Sequence, residues 1–441
     1  MSHDSGRKLS AASIGNFGEI YDFAVFAFSI PIIAHLFFPG SDPTAAILST
    51  FAVYAVAFFA RPVGGLVFGY MLDRVGRVKV LALTIWLMAG ATALIGVLPT
   101  YETIGIGAPA LLVLCRLAQG FAMGGETTGS TSYILESAPD QGRGRWVGII
   151  WFFANIPNAF VAVMLLLIQL VAGKEAYTDW VWRVPFLAGG LIGIIGFWLR
   201  RNLEDPEEFK LAISKAKNEN PLAAATSAGW KSMLHVLMIL PVQTVGSYLL
   251  VGFMYTFLVR QMHMEPSAAL LTNAAAIAVM ALFYPIGGAL SDKLGRKRVM
   301  TIGALWIGLA AYPVLQLVAT GVLSYALLGQ ALLAIGIGMY SGSAFTAAAE
   351  FFPTAYRATG HAIAYQGSVA LLGGTTPFVS AWLVEIFGTP MAPGYYVITA
   401  AIVCLITVQF VPETKDVRLR TGDSQGGRPQ AASSQVELRT T

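Results

Sequence analysis

Apolar stretches long enough to cross a bilayer alternate with short polar loops along almost the whole chain. A spanning helix needs about 20 mostly apolar residues. Twelve stretches meet that length, near 13–37, 45–71, 79–98, 108–136, 145–172, 182–200, 232–259, 268–290, 299–318, 323–351, 358–386 and 394–411. The longest polar interior segment, 201–231, separates the sixth from the seventh and carries Arg201, Glu204, Asp205, Glu207, Glu208 and Lys210 among its charges. The pattern predicts an all-α membrane protein with twelve transmembrane helices in two pseudo-symmetric six-helix bundles. A polar N-terminus occupies 1–10, the first bundle 11–200, a central loop 201–231 and the second bundle 232–412. The remainder, 413–441, is rich in Ser, Gln, Gly and Arg, has no heptad pattern, and reads as a mobile tail.

A repeated phrase supports the division. Gly69-Tyr-Met-Leu-Asp73-Arg-Val-Gly76-Arg77 returns 219 positions later as Gly288-Ala-Leu-Ser-Asp292-Lys-Leu-Gly295-Arg296, about half of the 441 residues away. Each copy sits between two apolar stretches. Such a repeat indicates two equivalent helical halves, an arrangement common among secondary transporters.

Composition narrows the class. Charged residues make up 12% against roughly 25% in soluble domains, hydrophobic residues 56%, and the mean hydropathy is +0.66. The net charge of +4 reports topology and not a nucleic-acid partner: Lys and Arg collect in alternate loops, which places both termini on the cytoplasmic side. No small-residue cleavage site follows the first apolar run, so no cleaved signal peptide is expected. Cys115 and Cys404 lie inside apolar runs and read as small core or lipid-facing residues. No nucleophile elbow, metal cluster or phosphate loop is present, so the chain does not read as an enzyme.

Charges inside the spans carry the chemistry, because an ionisable side chain at that depth is costly. The first span has Glu19 and Asp22 one turn apart, the second Arg61, and the fourth Arg116 and Glu126. Arg61 lies twelve residues before Asp73, about 18 Å from the loop and so near mid-membrane. The middle of the second half holds almost no charge. It offers neutral hydrogen-bonding groups instead, among them Gln243, Tyr248, Tyr365 and Gln366. Trp151-Phe152-Phe153 reads as packing or lipid contact before a substrate cage. Asn155, Pro157 and Asn158 follow it; Pro157 is expected to break the fifth helix and leave a cavity wall. His235 and His361 stand near span ends and read as interfacial residues, not metal ligands.

These residues resemble a known family. The doubled loop phrase is similar to the signature of the major facilitator superfamily. Gly15-Asn-Phe-Gly-Glu19-Ile-Tyr-Asp22, Arg61-Pro-Val-Gly-Gly65, Arg116-Leu-Ala-Gln-Gly120, Trp182-Arg183-Val-Pro-Phe186 and Glu350-Phe-Phe-Pro with Arg357-Ala-Thr-Gly360 resemble its metabolite:proton symporter branch, over residues of about 10 to 415. That branch includes bacterial permeases for citrate, 2-oxoglutarate, shikimate and proline/betaine. The resemblance implies a cavity between two bundles that opens to either side in turn. It also implies that Asp22 and Arg116, with Glu19 beside them, couple proton movement. Asn155-Ile-Pro-Asn158 stands where many relatives carry a Gln-containing stretch, and the coiled-coil tail of some osmolyte permeases is absent.

The expected function is proton-coupled import of a small organic anion of the carboxylate, di- or tricarboxylate class. A zwitterionic osmolyte such as proline or betaine, or an aromatic or hydroxy acid, is the alternative; a non-transporting receptor is a remote one. Arg61, Arg116, Asn155, Asn158, Tyr248, Tyr365 and Gln366 are the candidate substrate residues. Asp73, Arg77, Glu126, Glu136, Asp292, Arg296, Glu350 and Arg357 are the candidate cytoplasmic gate. No cofactor is expected. The driving force is a proton gradient, with sodium as the alternative, and the protein is expected to work as a monomer in a bacterial inner membrane.

Overall fold

The computed structural model describes residues 3–40, 42–75, 77–124, 142–201, 229–352 and 357–417; no strand occurs among them. Twelve helical elements follow in chain order. The first half holds α1 (His3–Phe37), α2 (Pro43–Val75), α3 (Arg77–Val97), α4 (Gly107–Met123), α5 (Arg143–Ala172) and α6 (Val184–Arg201). In the second half, α7 is assembled from Trp230–Ile239, Pro241–Tyr248 and Met254–Arg260, and α8 (Pro266–Leu294), α9 (Arg296–Val318) and α10 (Leu323–Glu350) follow it. Then α11 joins Arg357–Ser368 to Thr376–Phe387, and α12 is Ala392–Phe410. Ten of these contain a window long and apolar enough to cross a membrane, and the other two, α3 and α4, contain shorter apolar segments at Ala82–Val97 and Gly107–Met123.

Pairs of glycines bring helices together within each half. A Cβ on Gly120 would lie 1.8 Å from the Ala57 carbonyl oxygen, and one on Gly124 2.0 Å from that of Arg61, so α4 rests directly on the α2 backbone. The second half repeats the device: Gly338 and Gly342 of α10 stand 2.5 and 2.2 Å by the same measure from the carbonyl oxygens of Met280 and Tyr284 in α8. In a bilayer lipid tails are as apolar as leucine, so such close approach is a main source of helix association.

The same logic joins the halves. At the end bearing the repeated phrase, hereafter the basic end, Gly144 and Gly288 place α5 against α8: a Cβ on Gly288 would lie 2.0 Å from the Gly144 carbonyl oxygen. Towards the opposite end, α1 and α2 meet α7. Phe28 packs edge-on to Tyr255 with ring centroids 5.9 Å apart, Phe51 lies 6.1 Å from Phe253, and the Arg260 guanidinium donates to the Pro31 carbonyl.

Two elements depart from their regular courses, and one expected break does not occur. Residues Leu249–Phe253 of α7 and Val369–Gly373 of α11 form π turns, each roughly midway along its helix. π turns widen the backbone and often mark functional positions. Pro157, in contrast, leaves α5 unbroken: the helix runs from Arg143 to Ala172 with the proline inside it.

Candidate functional site: a cavity between the halves

A cavity of about 160 Å³ lies between the two sets of contacts. Arg61 and Tyr54 of α2, Phe23 of α1 and Asn155 and Asn158 of α5 line its first-half side. Gln243, Ser247 and Tyr248 of α7, Tyr284 of α8, and His361, Tyr365 and Gln366 of α11 line the other. The π turns follow Tyr248 and Gln366 within a few residues, so both irregular helices present their loosened backbone near the cavity.

Arg61 is the cation of this site. It is 4% exposed, and its guanidinium lies against two rings that meet edge to face, Phe23 and Phe58, 4.5 and 4.1 Å from their centroids. No ion pair to it occurs among the described residues, and its Nε has no protein partner. The rings hold the group by cation–π attraction. A guanidinium in this position without a counter-ion is expensive, and a bound carboxylate removes much of that cost.

Arg116 stands elsewhere. It is fully buried and does not line the cavity. Its guanidinium rests on Phe23 and Phe26, 4.4 and 4.3 Å from the centroids, and donates to the Gln119 side chain at 2.9 Å and the Tyr54 carbonyl at 3.4 Å. Of the two arginines expected to bind substrate, the structure therefore brings one to the cavity and puts the other behind its wall.

Asp22 lies behind that wall as well. It is 2% exposed, in a crevice bounded by Gly18 of its own helix, Met88 and Ala89 of α3 and Gly189 of α6. A Cβ on Gly189 would stand 3.0 Å from the Asp22 carboxylate, so the glycine makes the room. No direct ion pair joins Asp22 to Arg116. Polar groups bridge them instead. The Thr92 side chain lies beside Asp22 at Gly189; its hydroxyl donates to the Met88 carbonyl at 3.0 Å and accepts from Gln119 at 2.6 Å, and Gln119 in turn accepts from Arg116. Thr92 is one of two hydroxyls in an otherwise apolar span and carries no local signal of a role. Gln119 stood in a motif without a role.

Two further residues need revision. His361, expected at the interface, is 6% exposed and lines the cavity, stacked on Tyr365 at 5.9 Å. Trp151, expected to be packing, both packs and lines the cavity. Its ring lies 3.9 Å from that of Phe345 across the boundary between halves, with Tyr284 and Tyr365 beside it. This aromatic layer is the cavity's floor towards the basic end. Arg143 lies eight residues, about 12 Å, below Trp151 along α5.

At the basic end a second polar cluster ties the halves together. Asp292, at the end of α8, accepts from the backbone N–H groups of Gly144 and Arg145 at 2.9 Å each and so caps the first turn of α5. Arg296 donates to Asp292 at 2.7 Å and to both oxygens of Glu350 at 3.2 Å. Arg143 from the first half forms an ion pair with Glu350 at 3.2 Å. Asp292, Arg296 and Glu350 of the expected gate are thus brought together, joined by Arg143, which was not among the candidate gate residues. Glu126 and Glu136 lie outside the described residues, as do the side chains of Glu19, Asp73, Arg77 and Arg357.

The expected mobile tail is docked at its first residues. Glu413 accepts from the N–H groups of Arg296 and Lys297 at 2.9 and 3.1 Å, capping α9. Thr414 donates to Glu350 at 2.6 Å, and Arg143 donates to the carbonyls of Lys415 and Val417. Gly295 permits this: its φ is +101°, and a Cβ there would lie 2.8 Å from the Glu413 carboxylate. Burial pushes the Glu413 carboxyl upward, but four backbone N–H donors outweigh it and hold the group below the usual glutamate range.

Two pseudo-symmetric helical bundles around a central cavity, tied together beyond it, define a carrier of the two-bundle type. The family model described as Major Facilitator Superfamily matches residues 12–282 and 237–439, and the chain belongs to that superfamily. Among curated relatives, the proline/betaine transporter of Escherichia coli (strain K12) is 34% identical over 440 residues, 97% of this chain and 87% of the relative. The citrate-proton symporter of Klebsiella pneumoniae is 35% identical over 427 residues, 96% of each. A crystal structure of a D-xylose-proton symporter superposes with a TM-score of 0.74 over 94% of this chain and 99% of the other, at 21% identity, a likeness of fold.

Proposed function

We propose that the chain is a proton-coupled symporter that imports a small carboxylate-bearing solute across a bacterial inner membrane, with both termini and the basic end in the cytoplasm. The observation that carries this is Arg61: a buried cation at the cavity with no ionic partner among the described residues, held against two rings. A single cation of this kind suits one carboxylate. The cavity volume, about 160 Å³, is close to that of engineered cavities of about 150 Å³ that hold a benzene ring. Both points favour a compact zwitterion or hydroxy acid over a tricarboxylate. The identity to proline/betaine transporters supports the zwitterion; the identity to citrate-proton symporters supports the carboxylate end and the proton.

Asp22 is the proposed proton carrier. It lies off the solute path, and the Thr92–Gln119 link lets it sense Arg116, which in turn touches Tyr54 and Phe23 in the cavity wall. Solute binding that shifts the wall alters the electrostatic surroundings of Asp22, and protonation of Asp22 alters the wall. Opening to the cytoplasm requires the Arg143–Glu350 and Asp292–α5 contacts to part. The test is uptake into proteoliposomes with an imposed pH gradient, across a panel of zwitterions, hydroxy acids and di- and tricarboxylates. Accumulation of a monocarboxylate that collapses with the pH gradient supports the reading. Accumulation driven by sodium alone, or of tricarboxylates only, overturns it.

A further inference from the structure

The second-half wall of the cavity has polar groups that nothing in the protein satisfies. Gln366 is 8% exposed, and both atoms of its amide are buried without a protein partner. His361 is 6% exposed, and its Nε2 is in the same condition. The Trp151 indole N–H, across the floor, is a third such group. All three residues line the cavity. Buried polar groups are almost always paired, so several orphans on residues that line one space point to a ligand that pairs them.

The aromatic rings in and around the cavity suggest a different ligand at first sight, a quaternary ammonium held over open ring faces. Their geometry argues against it. Trp151 is stacked on Phe345 at 3.9 Å with an interplanar angle of 13°, and Tyr365 is stacked on His361 at 20°. Phe23 and Phe58 face the Arg61 guanidinium. Each of these rings spends one face on a neighbour or on Arg61, Tyr248 meets Phe58 edge-on, and Tyr284 is tilted against Trp151 and Phe345. What these residues can offer the second end of a solute is hydrogen bonds, among them one to the unpaired Gln366 acceptor.

We propose that Gln366, His361 and Trp151 select solutes whose end remote from the carboxylate carries a hydrogen-bond donor, an N–H ammonium or a hydroxyl, over solutes whose nitrogen is fully methylated. This deepens the reading of the cavity as the solute site and rests on it. A fully methylated nitrogen has no proton for the Gln366 Oε1, and its methyl groups cover that acceptor without satisfying it. Sites built to hydrogen-bond a polar hydrogen discriminate strongly against analogues that lack it.

The test uses the full chain in proteoliposomes and a ladder of probes one methyl apart: sarcosine, N,N-dimethylglycine and glycine betaine. A 2-hydroxy acid and its methyl ether, malate and O-methylmalate, form a parallel pair. Half-maximal concentrations come from ligand-induced thermal stabilisation and from counterflow. Affinity should fall by roughly tenfold or more at the step that removes the last N–H or O–H. That step should shrink in Gln366→Leu, which keeps the volume, and in His361→Phe, which keeps the ring stack. Glycine betaine binding as tightly as N,N-dimethylglycine overturns the proposal. So does a step that persists in both variants, or a ladder that does not bind while the acid and its ether bind equally. Arg61→Gln separates this from the parent reading. If the probes bind without regard to Arg61, the cavity is not their site; if they depend on Arg61 but show no methyl step, only the present proposal falls.

Discussion

The two halves share a fold, a loop phrase and a pattern of packing glycines, yet they spend their polar residues at different depths. In the first half three described charges stand within the spans: Asp22, Arg61 and Arg116 are each 4% exposed or less, and none forms an ion pair with another described residue. In the second half the midspan positions facing the cavity are neutral, and the buried charges gather at the basic end around Glu350, which pairs with Arg296 and with Arg143 of the first half. The glycines that set helix spacing recur in both halves because packing makes the same demand of each. The charges do not recur, because coupling to a proton needs ionisable groups in only one wall of the cavity. A duplicated scaffold can therefore place proton and anion chemistry on one side and selectivity on the other.

The sharpest way to break this comparison is Asp22→Asn. The variant keeps the size of the side chain in its crevice and removes its proton. Accumulation driven by a pH gradient should drop at least a hundredfold, while solute exchange without a gradient survives. Exchange and uphill uptake measured in the same vesicles check it. Uphill uptake at the original level would remove Asp22 from coupling and leave the first half's charges without a common purpose.

Next in size is Arg61→Lys. The charge stays, but the planar fork that lies against Phe23 and Phe58 is lost. Affinity for the transported carboxylate should weaken by roughly thirtyfold, about 2 kcal/mol, as read by isothermal titration. Arg116→Lys sharpens the contrast. Arg116 does not line the cavity, so its replacement should depress coupled uptake more than it depresses binding. Equal loss of affinity in both variants would show that the two arginines share one role.

The paired charges of the second half should behave differently. Asp292→Asn weakens the α5 cap and the bond from Arg296. Charge-assisted bonds of this type contribute about 1.5–3 kcal/mol each, but they form in only one arrangement of the bundles. The expected result is a several-fold change in turnover and in the cytoplasmic accessibility of the cavity, with solute affinity altered less. Cysteine labelling from the cytoplasmic side alongside transport rates reports both quantities. A fall in affinity with unchanged turnover would contradict the gate assignment.

Much of this arrangement was legible in the chain. The twelve spans follow from hydropathy, the halves from the repeated phrase, and the costly charges from their depth. Which way those charges turn was not legible. Helices that meet lipid on one side and protein on the other are apolar all round, so the 3.6-residue pattern that reveals a buried face in a soluble helix is nearly flat here. Arg61 and Arg116 looked alike for that reason, although one edges the cavity and the other is walled off. His361 looked interfacial because its place near a predicted span end said nothing of which face it occupied. Thr92, Arg143 and Glu413 act through partners distant in sequence, which no local pattern reports.

The smallest expected effect concerns Glu413, whose composition-based setting suggested a loose tail. Its carboxyl is held below the usual glutamate range, so the sign is fixed. The docked carboxylate stabilises the basic-end cluster at pH values above the unfolded-state pKa, and that contribution is lost as pH falls through the lower folded value. Glu413→Gln should remove this acid-side dependence at a cost of about 0.5 kcal/mol, the scale of an anion at a helix N-terminus. The measurement is the thermal midpoint of the purified protein between pH 3 and 7, for both forms. The two curves should converge at the acid end and separate above it. Curves that stay parallel throughout would mean that Glu413 does not support the cluster, and that the docked residues are held by Thr414 and Arg143 instead.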